Sequence, residues 1–262
     1  MRDALLRILR CPVCESHPLA ESSGGVSCPR CGTGFVSCEG YLDALPPQSR
    51  EVITPFQRIM QTPLIVAVYE KWWRRAGYWL ASARSFDDEV ATMLRLGERS
   101  GEGPVIDVAC GPGVFTRPLA RRTRGIVVGF DLSRPMLRHA VRRARSEHLD
   151  NAEFVRGTVF RLPFLTAAFQ LVNCCGALHL FDDPVPALAE LARITAPGGC
   201  ITLQTTIRPG RSAGLAWFLE RWIRFGFFAE DELLDLLDRQ GLQVTDAERH
   251  RISLSLAALR KI

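Results

Sequence analysis

The stretch PVIDVACGPG, from Pro104 to Gly113, limits what this 262-residue chain can fold into more than any other segment does. A short β-branched run that ends in glycines reads as a buried strand entering a tight turn. IVVGFD, from Ile126 to Asp131, reads as a second strand. Asp107 and Asp131 are 131 − 107 = 24 positions apart, room for a strand, a helix and the next strand, which is the unit that builds a nucleotide-binding crevice. Gly111 and Gly113 let the backbone approach a ligand with no Cβ in the way. Asp131, at the tip of the second strand, can accept the protons of both hydroxyls of a ribose.

A pyrophosphate-binding turn favours GxGxxG, with the third glycine packing helix on strand. Here GPGVFT puts Thr116 at that third position. Asp107 would repel a phosphate and suits a ligand that carries an ammonium group. DVACGPGVFTRPLA followed by GFDLSRPML resembles the class I S-adenosylmethionine methyltransferases, whose DxGxGxG turn holds the methionine end and whose next-strand acid holds the ribose. RLPF from Arg161, AAFQLVNCCGALHLFDDP from Ala167 and ALAELARITAPGG from Ala187 follow in the family's order. The resemblance runs from Gly103 to the C-terminus. It implies an α/β fold with a Rossmann-like seven-stranded methyltransferase sheet, closed by a reversed hairpin from QVTDAERHR and ISLSLAALRK.

Carried over residue by residue, the resemblance implies cofactor contacts at Asp107, Ala109, Gly111, Gly113 and Asp131. Leu132, Thr158, Val159 and Cys174 complete the implied site, with Tyr69 reaching it from a preceding helix. Three positions depart from the pattern: Thr158 stands where an acid usually accepts a proton from the adenine amine, Gln170 replaces an Asp, and Leu180 replaces the second His of LHH. A neutral acceptor is worth about half a charge-assisted one, so the expectation is either a weakened adenine end or an adenine held mainly by apolar packing. His179, in GALHLFDDP, is the histidine the resemblance places before the transferred methyl. Its two readings are a general base for a phenol or activated carbon acid, and a residue that only shapes the pocket. The chain has no NPPY-like block of the kind used to methylate base amines, which favours an oxygen or carbon acceptor.

CPVC at Cys11 to Cys14 and CPRC at Cys28 to Cys31 are two CxxC knuckles with thirteen residues between them. Each knuckle presents two thiolates, and two knuckles close a tetrahedral zinc site; a redox pair and unrelated buried thiols are the alternatives. A unit of roughly 45 residues buries too little surface to fold by itself, so the metal would supply most of its folding energy. Cys38 and His17 are near enough to substitute, although a four-thiolate site needs neither. Cys110, Cys174, Cys175 and Cys200 read as core. LLRILRCPVC and SCPRCGTGFVSCEGYLDALP resemble the small zinc-ribbon activator of tRNA, rRNA and protein methyltransferases, and also the zinc-ribbon head of the bacterial guanine-N1 rRNA methyltransferases. Neither fixes the substrate, because a ribbon can be a prop, a lid or an RNA-binding surface.

These signals divide the chain into a zinc ribbon over 1–45, a linker and helical lid over 46–102, and a methyltransferase domain over 103–262. FQRIMQTPLIVAVYEKWWRRAGYWL resembles the lead-in of bacterial and plastid small-molecule methyltransferase-like proteins, which makes Tyr69, Trp72, Trp73 and Arg74 lid candidates beside their reading as ordinary helix residues. An insertion over 207–228 holds Trp217, Phe218, Trp222, Phe225, Phe227 and Phe228. An aromatic wall there favours a flat or greasy small molecule; a helix covering the sheet is the plainer reading. Helices are expected at Thr116 to Arg122, Arg134 to Ser146 and Val185 to Thr195, and a strand at Cys200 to Thr206.

Charge supports a competitor. Nine arginines and one acid lie between Arg117 and Arg145, the net charge is +5, and a phosphate-binding stripe would look like this. Arginine-rich composition, with only Lys71 and Lys261 as lysines, gives the same pattern without nucleic acid. No apolar run approaches the roughly 18 to 20 residues of a membrane span. MRDALLRILR is too short and too charged for a secretory signal, and nine cysteines suit the reducing cytoplasm. The expectation is a cytoplasmic enzyme using S-adenosylmethionine and zinc. It would methylate an oxygen or carbon of a small aromatic or hydrophobic molecule, with rRNA or tRNA methylation second and a non-catalytic partner protein third.

Overall fold

Residues 3–46, 49, 62, 74–209 and 226–262 are described by a computed structural model of the chain. A single helical turn, α1 (Asp3–Leu6), leads into a small antiparallel meander of β1 (Ala20–Ser22), β2 (Gly25–Ser27), β3 (Gly34–Cys38) and β4 (Tyr41–Asp43). Two helices follow, α2 (Arg74–Ser82) and α3 (Phe86–Gly97). Ser85 starts α3 with a reciprocal box in which its hydroxyl accepts the Asp88 N–H and the Asp88 carboxylate accepts the Ser85 N–H, worth about 1 kcal/mol. Of the helical stretch expected from Gln57 to Gly97, residues 57–61 and 63–73, with Tyr69, Trp72 and Trp73, lie outside the described residues, as do residues 210–225 of the insertion expected over 207–228.

From Val105 on, strand and helix alternate: β5 (Val105–Val108), α4 (Thr116–Arg122), β6 (Val127–Asp131), α5 (Arg134–Ser146), β7 (Ala152–Arg156), β8 (Phe169–Cys175), α6 (Pro184–Ile194) and β9 (Thr195–Thr206). The chain then closes with α7 (Glu230–Arg239), β10 (Leu242–His250) and β11 (Ser253–Arg260). The strand order β7-β6-β5-β8-β9-β11-β10 is parallel through β9, and β11 enters antiparallel between β9 and β10. This is the expected seven-stranded sheet with a reversed edge. Strand β5 is buried at every position, which is why VIDV is almost continuously apolar. The chain leaves β5 toward β6 and β7 and then jumps back to β8 on its other side. A crevice opens at the carboxyl ends of the strands where that order reverses.

The observed ends of α4 and α5 match the sequence reading. Strand β9 starts at Thr195 rather than Cys200, because Pro197, Gly198 and Gly199 bulge from a ladder that resumes at Leu171↔Cys200. A larger difference lies at the other edge. Strand β4 pairs in parallel with β7, through Leu42↔Val155 and Asp43↔Arg156, so the four small strands extend the main sheet. The cores are continuous as well: Leu5, Leu9 and Leu19 belong to one buried cluster with Val128, Phe130 and Phe164. The segment before the first knuckle also clamps the RLPF loop, with Arg10 N–H to Pro163 O at 3.0 Å and Leu165 N–H to Ile8 O at 2.9 Å. Among the described residues, no helix is long and apolar enough to cross a membrane.

Candidate functional site

Strand β5 runs into its turn at Ala109, which takes φ 56°, followed by Gly111 at 54° and Gly113 at 78°. A Cβ on Gly111 would meet no atom within 4 Å, because that position faces a cleft; on Gly113 it would lie 3.2 Å from Ala140 Cβ, where the turn packs on α5. A left-handed alanine costs roughly 1–2 kcal/mol, and such strain is characteristic of a turn held for a ligand. Asp131 fastens this turn from the next strand. Its Oδ2 accepts the Gly111 N–H and its Oδ1 the Ser133 N–H, both at 2.8 Å. Burial raises its pKa above the usual carboxylate range, and those backbone N–H groups pull the other way.

Six of the expected cofactor residues meet along one cleft: Ala109, Gly111, Asp131, Leu132, Thr158 and Val159. The cleft's apolar walls include Phe115, Phe160, Leu180 and Phe181. Thr158 begins a short 3₁₀ turn, where its hydroxyl oxygen accepts the Phe160 N–H at 3.4 Å. Tyr69 lies outside the described residues.

Four expected site residues do not line the cleft. Asp107 is buried, accepting the Thr116 hydroxyl proton on Oδ2 at 2.6 Å and an Asn173 amide proton on Oδ1 at 2.7 Å. Asn173 Oδ1 accepts in turn from Thr202 Oγ1 at 2.8 Å. The acid expected to meet an ammonium group ties the turn to β8 and, through Asn173, to β9. Burial pushes its pKa up to about 6, against the two hydrogen bonds. Gly113 packs on α5, and Cys174 faces the core while its neighbour Cys175 lines the cleft, as strand alternation requires. His179 is also buried, with Nδ1 3.4 Å from Thr205 Oγ1, and Leu180 takes the cleft position beside it. Burial and then the Arg74 charge push the His179 pKa down to about 3, which leaves it neutral and weakly basic.

Arg74, at the start of α2, is the cationic side chain of the described cleft wall. Its guanidinium lies 2.5 Å from Glu89 Oε1 and about 6 Å from the ring centres of Phe86 and Phe115. A Cβ on Gly176 would come within 2.2 Å of Arg74 Nη1, so the glycine after β8 makes room for the arginine. Glu89 is wholly buried; desolvation raises its pKa to about 7 while Arg74 opposes the shift.

At the N-terminus the Sγ atoms of Cys11, Cys14, Cys28 and Cys31 all lie within 4.8 Å of one another. Cys11 is 3.7 Å from Cys31 and Cys14 is 3.5 Å from Cys28. Four sulfurs around a zinc ion at about 2.3 Å stand about 3.8 Å apart, so this donor set fits the metal. The knuckles repeat one backbone plan: Cys11 N–H to Ser16 O and Glu15 N–H to Cys11 O recur as Cys28 N–H to Thr33 O and Gly32 N–H to Cys28 O. Neither Cys38 nor His17 joins the cluster, and His17 Nδ1 bonds Leu9 O at 2.8 Å.

Three of the five arginines of α5 that suggested a phosphate stripe have acidic partners. Arg134 pairs with Asp43 at 3.2 Å and Arg138 with Glu39 at 2.5 Å, both on the small N-terminal unit, and Arg143 with Glu147 at 3.3 Å. The sequence reading missed Asn173, Glu89 and Arg156. A polar residue inside the apolar run LVNCC was the available signal for Asn173.

A family model described as a methyltransferase domain matches residues 105–199. The chain is 30% identical over 224 residues to an uncharacterised chloroplastic methyltransferase of Arabidopsis thaliana, covering 78% of this chain and 63% of that protein. It is 33% identical over 139 residues to the 2-phytyl-1,4-naphtoquinone methyltransferase of Thermosynechococcus vestitus, covering 49% of this chain and 61% of that one. The chain therefore spans less than two thirds of either relative's length. Among solved structures, the complex between the Trm112 methyltransferase activator of Haloferax volcanii and a methyltransferase superposes with a TM-score of 0.63 at 18% identity, over 81% of this chain and 100% of that chain. An uncharacterised methyltransferase of Mycobacterium bovis is 30% identical over 141 residues, covering 54% of this chain and 67% of that protein, and with it the chain belongs to the methyltransferases.

Proposed function

We propose that the chain transfers the methyl group of S-adenosylmethionine to an oxygen or carbon of a small aromatic or hydrophobic molecule. The observation that carries this reading is the cleft, where Gly111 and Asp131 lie on the same surface as Arg74 and the apolar residues Phe115, Phe160, Leu180 and Phe181. Asp131 would accept the ribose hydroxyl protons on its free lone pairs while the Gly111 and Ser133 N–H groups hold it in place. Arg74 would pair with the carboxylate of the amino-acid end, its charge already partly balanced by Glu89. Ala109, Leu132, Thr158 and Val159 would line the remainder, with Asp107, Gly113 and Cys174 supporting them from behind. The bound cofactor supplies an electrophilic methyl on a sulfonium, and the protein's task is to orient the acceptor in line and exclude water.

Among the described residues that line the cleft there is no histidine or lysine. His179, behind that lining, would support the pocket rather than act as a base, which favours an acceptor acidic enough to ionise without it, such as a phenol or a ring carbon flanked by oxygens. The naphthoquinone-methylating relative supports that class. The acidic partners of Arg134, Arg138 and Arg143 weaken the argument for RNA. Cys11, Cys14, Cys28 and Cys31 would hold zinc, which would fix the two knuckles and supply folding energy to the small unit.

Calorimetric titration of the purified chain with S-adenosylhomocysteine tests the cofactor reading; stoichiometric micromolar binding is expected, and no heat at millimolar ligand would sink it. Incubation with labelled S-adenosylmethionine and a panel of quinols, phenols and total RNA then reads the acceptor. Label carried only by RNA would replace the small-molecule reading.

A further inference from the structure

We infer that the N-terminal ribbon is part of the cofactor site, with Asp43 and Arg156 as positioning residues that brace the loop carrying the ribose acid. The inference deepens the cofactor reading and rests on it. Three residues stand abreast at the carboxyl ends of adjacent strands: Asp43 on β4 is in register with Arg156 on β7, which is in register with Asp131 on β6. Arg156 is only 3% exposed, and it works in two directions. Toward the ribbon its Nη1 donates to both Asp43 carboxylate oxygens, at 3.2 and 3.1 Å; toward the cleft its Nε donates to the carbonyl of Leu132 at 2.9 Å.

Leu132 is the residue after Asp131 and itself lines the cleft. The next residue, Ser133, donates its N–H to Asp131, and the one after that, Arg134, returns to the same Asp43 at 3.2 Å. A single ribbon carboxylate thus grips Leu132–Arg134 through two arginines, one acting on each side of Ser133. The backbone completes the frame, with Ala44 N–H on Arg156 O at 2.9 Å and Gly157 N–H on Asp131 O at 3.1 Å. A buried guanidinium is costly unless its charge is met. Asp43 meets it from the ribbon strand that extends the sheet, which gives the ribbon a task at the cleft that a detached prop or lid would not have.

The test uses the full-length, zinc-loaded chain and three substitutions. Arg156→Lys keeps the charge beside Asp43 but cannot bond both Asp43 and Leu132 as the guanidinium does. Asp43→Asn removes the shared carboxylate, and Arg138→Gln breaks a ribbon contact that does not touch the loop. Calorimetry with S-adenosylhomocysteine should show binding about tenfold weaker for Arg156→Lys and Asp43→Asn, the loss of one hydrogen bond to a charged group, and unchanged for Arg138→Gln. Adenosine should weaken by the same factor, because the brace acts on the ribose end; a general loss of stability would not single out that half. Hydrogen exchange in the ligand-free protein should speed up at the Ser133 and Arg134 amides of the first two variants. Equal affinity in all four proteins, or equal loss in Arg138→Gln, overturns the inference. If the wild type itself gives no heat, the cofactor reading fails instead. The exchange rates then still decide the brace, and unchanged rates overturn it.

Discussion

At one end of the cleft Asp131 receives N–H groups from Gly111 and Ser133, and the loop beyond it is gripped through Arg156 from the ribbon. At the other end the described wall is one arginine from α2, set against a buried glutamate and two phenylalanine rings. The first end is made of hydrogen bonds between side chains and backbone at the carboxyl ends of neighbouring strands, with the Asp131 carboxylate accepting and the Arg156 guanidinium donating. The second is made of side chains from a helix that precedes the sheet. The ribose end of the proposed cofactor site belongs to the fold, whereas its amino-acid end would belong to what has been added around it. The ribbon blurs that division, because it is an addition joined to the ribose end.

Removing the zinc proposed at the four cysteines should have the largest effect and should separate the two ends. Structural zinc sites contribute on the order of 10 kcal/mol to folding of the units they hold. Cys28→Ser, or chelator treatment, is therefore expected to melt the ribbon, expose the edge of β7 and weaken S-adenosylhomocysteine binding, as followed by thermal melting and calorimetry. Loss of metal with full cofactor affinity would show that the two ends are independent of the ribbon. Asp131→Ala comes next. Two charge-assisted hydrogen bonds to ribose are each worth roughly 1.5–3 kcal/mol, so affinity should fall at least about a hundredfold in the same titration, with methionine-end contacts unchanged.

How far the sequence could be read depended on how local each feature is. The glycine turn, Asp131 and the bounds of α5 are set by residues adjacent in sequence, and they were legible. The β4–β7 pairing was not, because YLD is three residues long and joins in parallel a strand more than a hundred positions away. Single-residue alternation was equally hidden. Cys174 and Cys175 are both apolar and adjacent, and only the register of β8 decides that Cys175 faces the cleft. The DxGxGxG pattern marked Asp107 but not its direction, which is fixed by Thr116 and by Asn173 from a different strand.

His179 gives a smaller effect with a definite sign. Its folded pKa, about 3, is depressed from 6.5, so the unfolded chain binds a proton that the folded chain refuses between those values. Its contribution to stability falls as pH drops through that window, by on the order of 2 kcal/mol between pH 7 and 5. Glu89, raised to about 7, and Asp107, raised to about 6, act in the opposite sense. The difference between wild type and His179→Gln isolates the histidine. Urea denaturation should show the variant losing less stability on acidification, with kcat/KM at pH 7.5 changed by less than about threefold. A loss of activity of a hundredfold or more would restore His179 as a base.

Thr158→Asp sharpens the contrast from the cofactor end and should act in the favourable direction. The Thr158 oxygen accepts the Phe160 N–H at 3.4 Å and would have one lone pair left for an adenine amine, as a neutral acceptor only. Aspartate can keep that capping bond with one oxygen and present the other to the amine. Charge-assisted hydrogen bonds are about twice as strong as neutral ones, and a gain of about 1 kcal/mol corresponds to affinity about fivefold tighter. The gain should be seen with S-adenosylhomocysteine and adenosine, and should disappear with an analogue that lacks the exocyclic amine. Tightening for both analogues alike would place the effect on general electrostatics rather than on that amine. No tightening at all would mean that apolar packing by Leu132 and Val159 already holds the ring away from position 158.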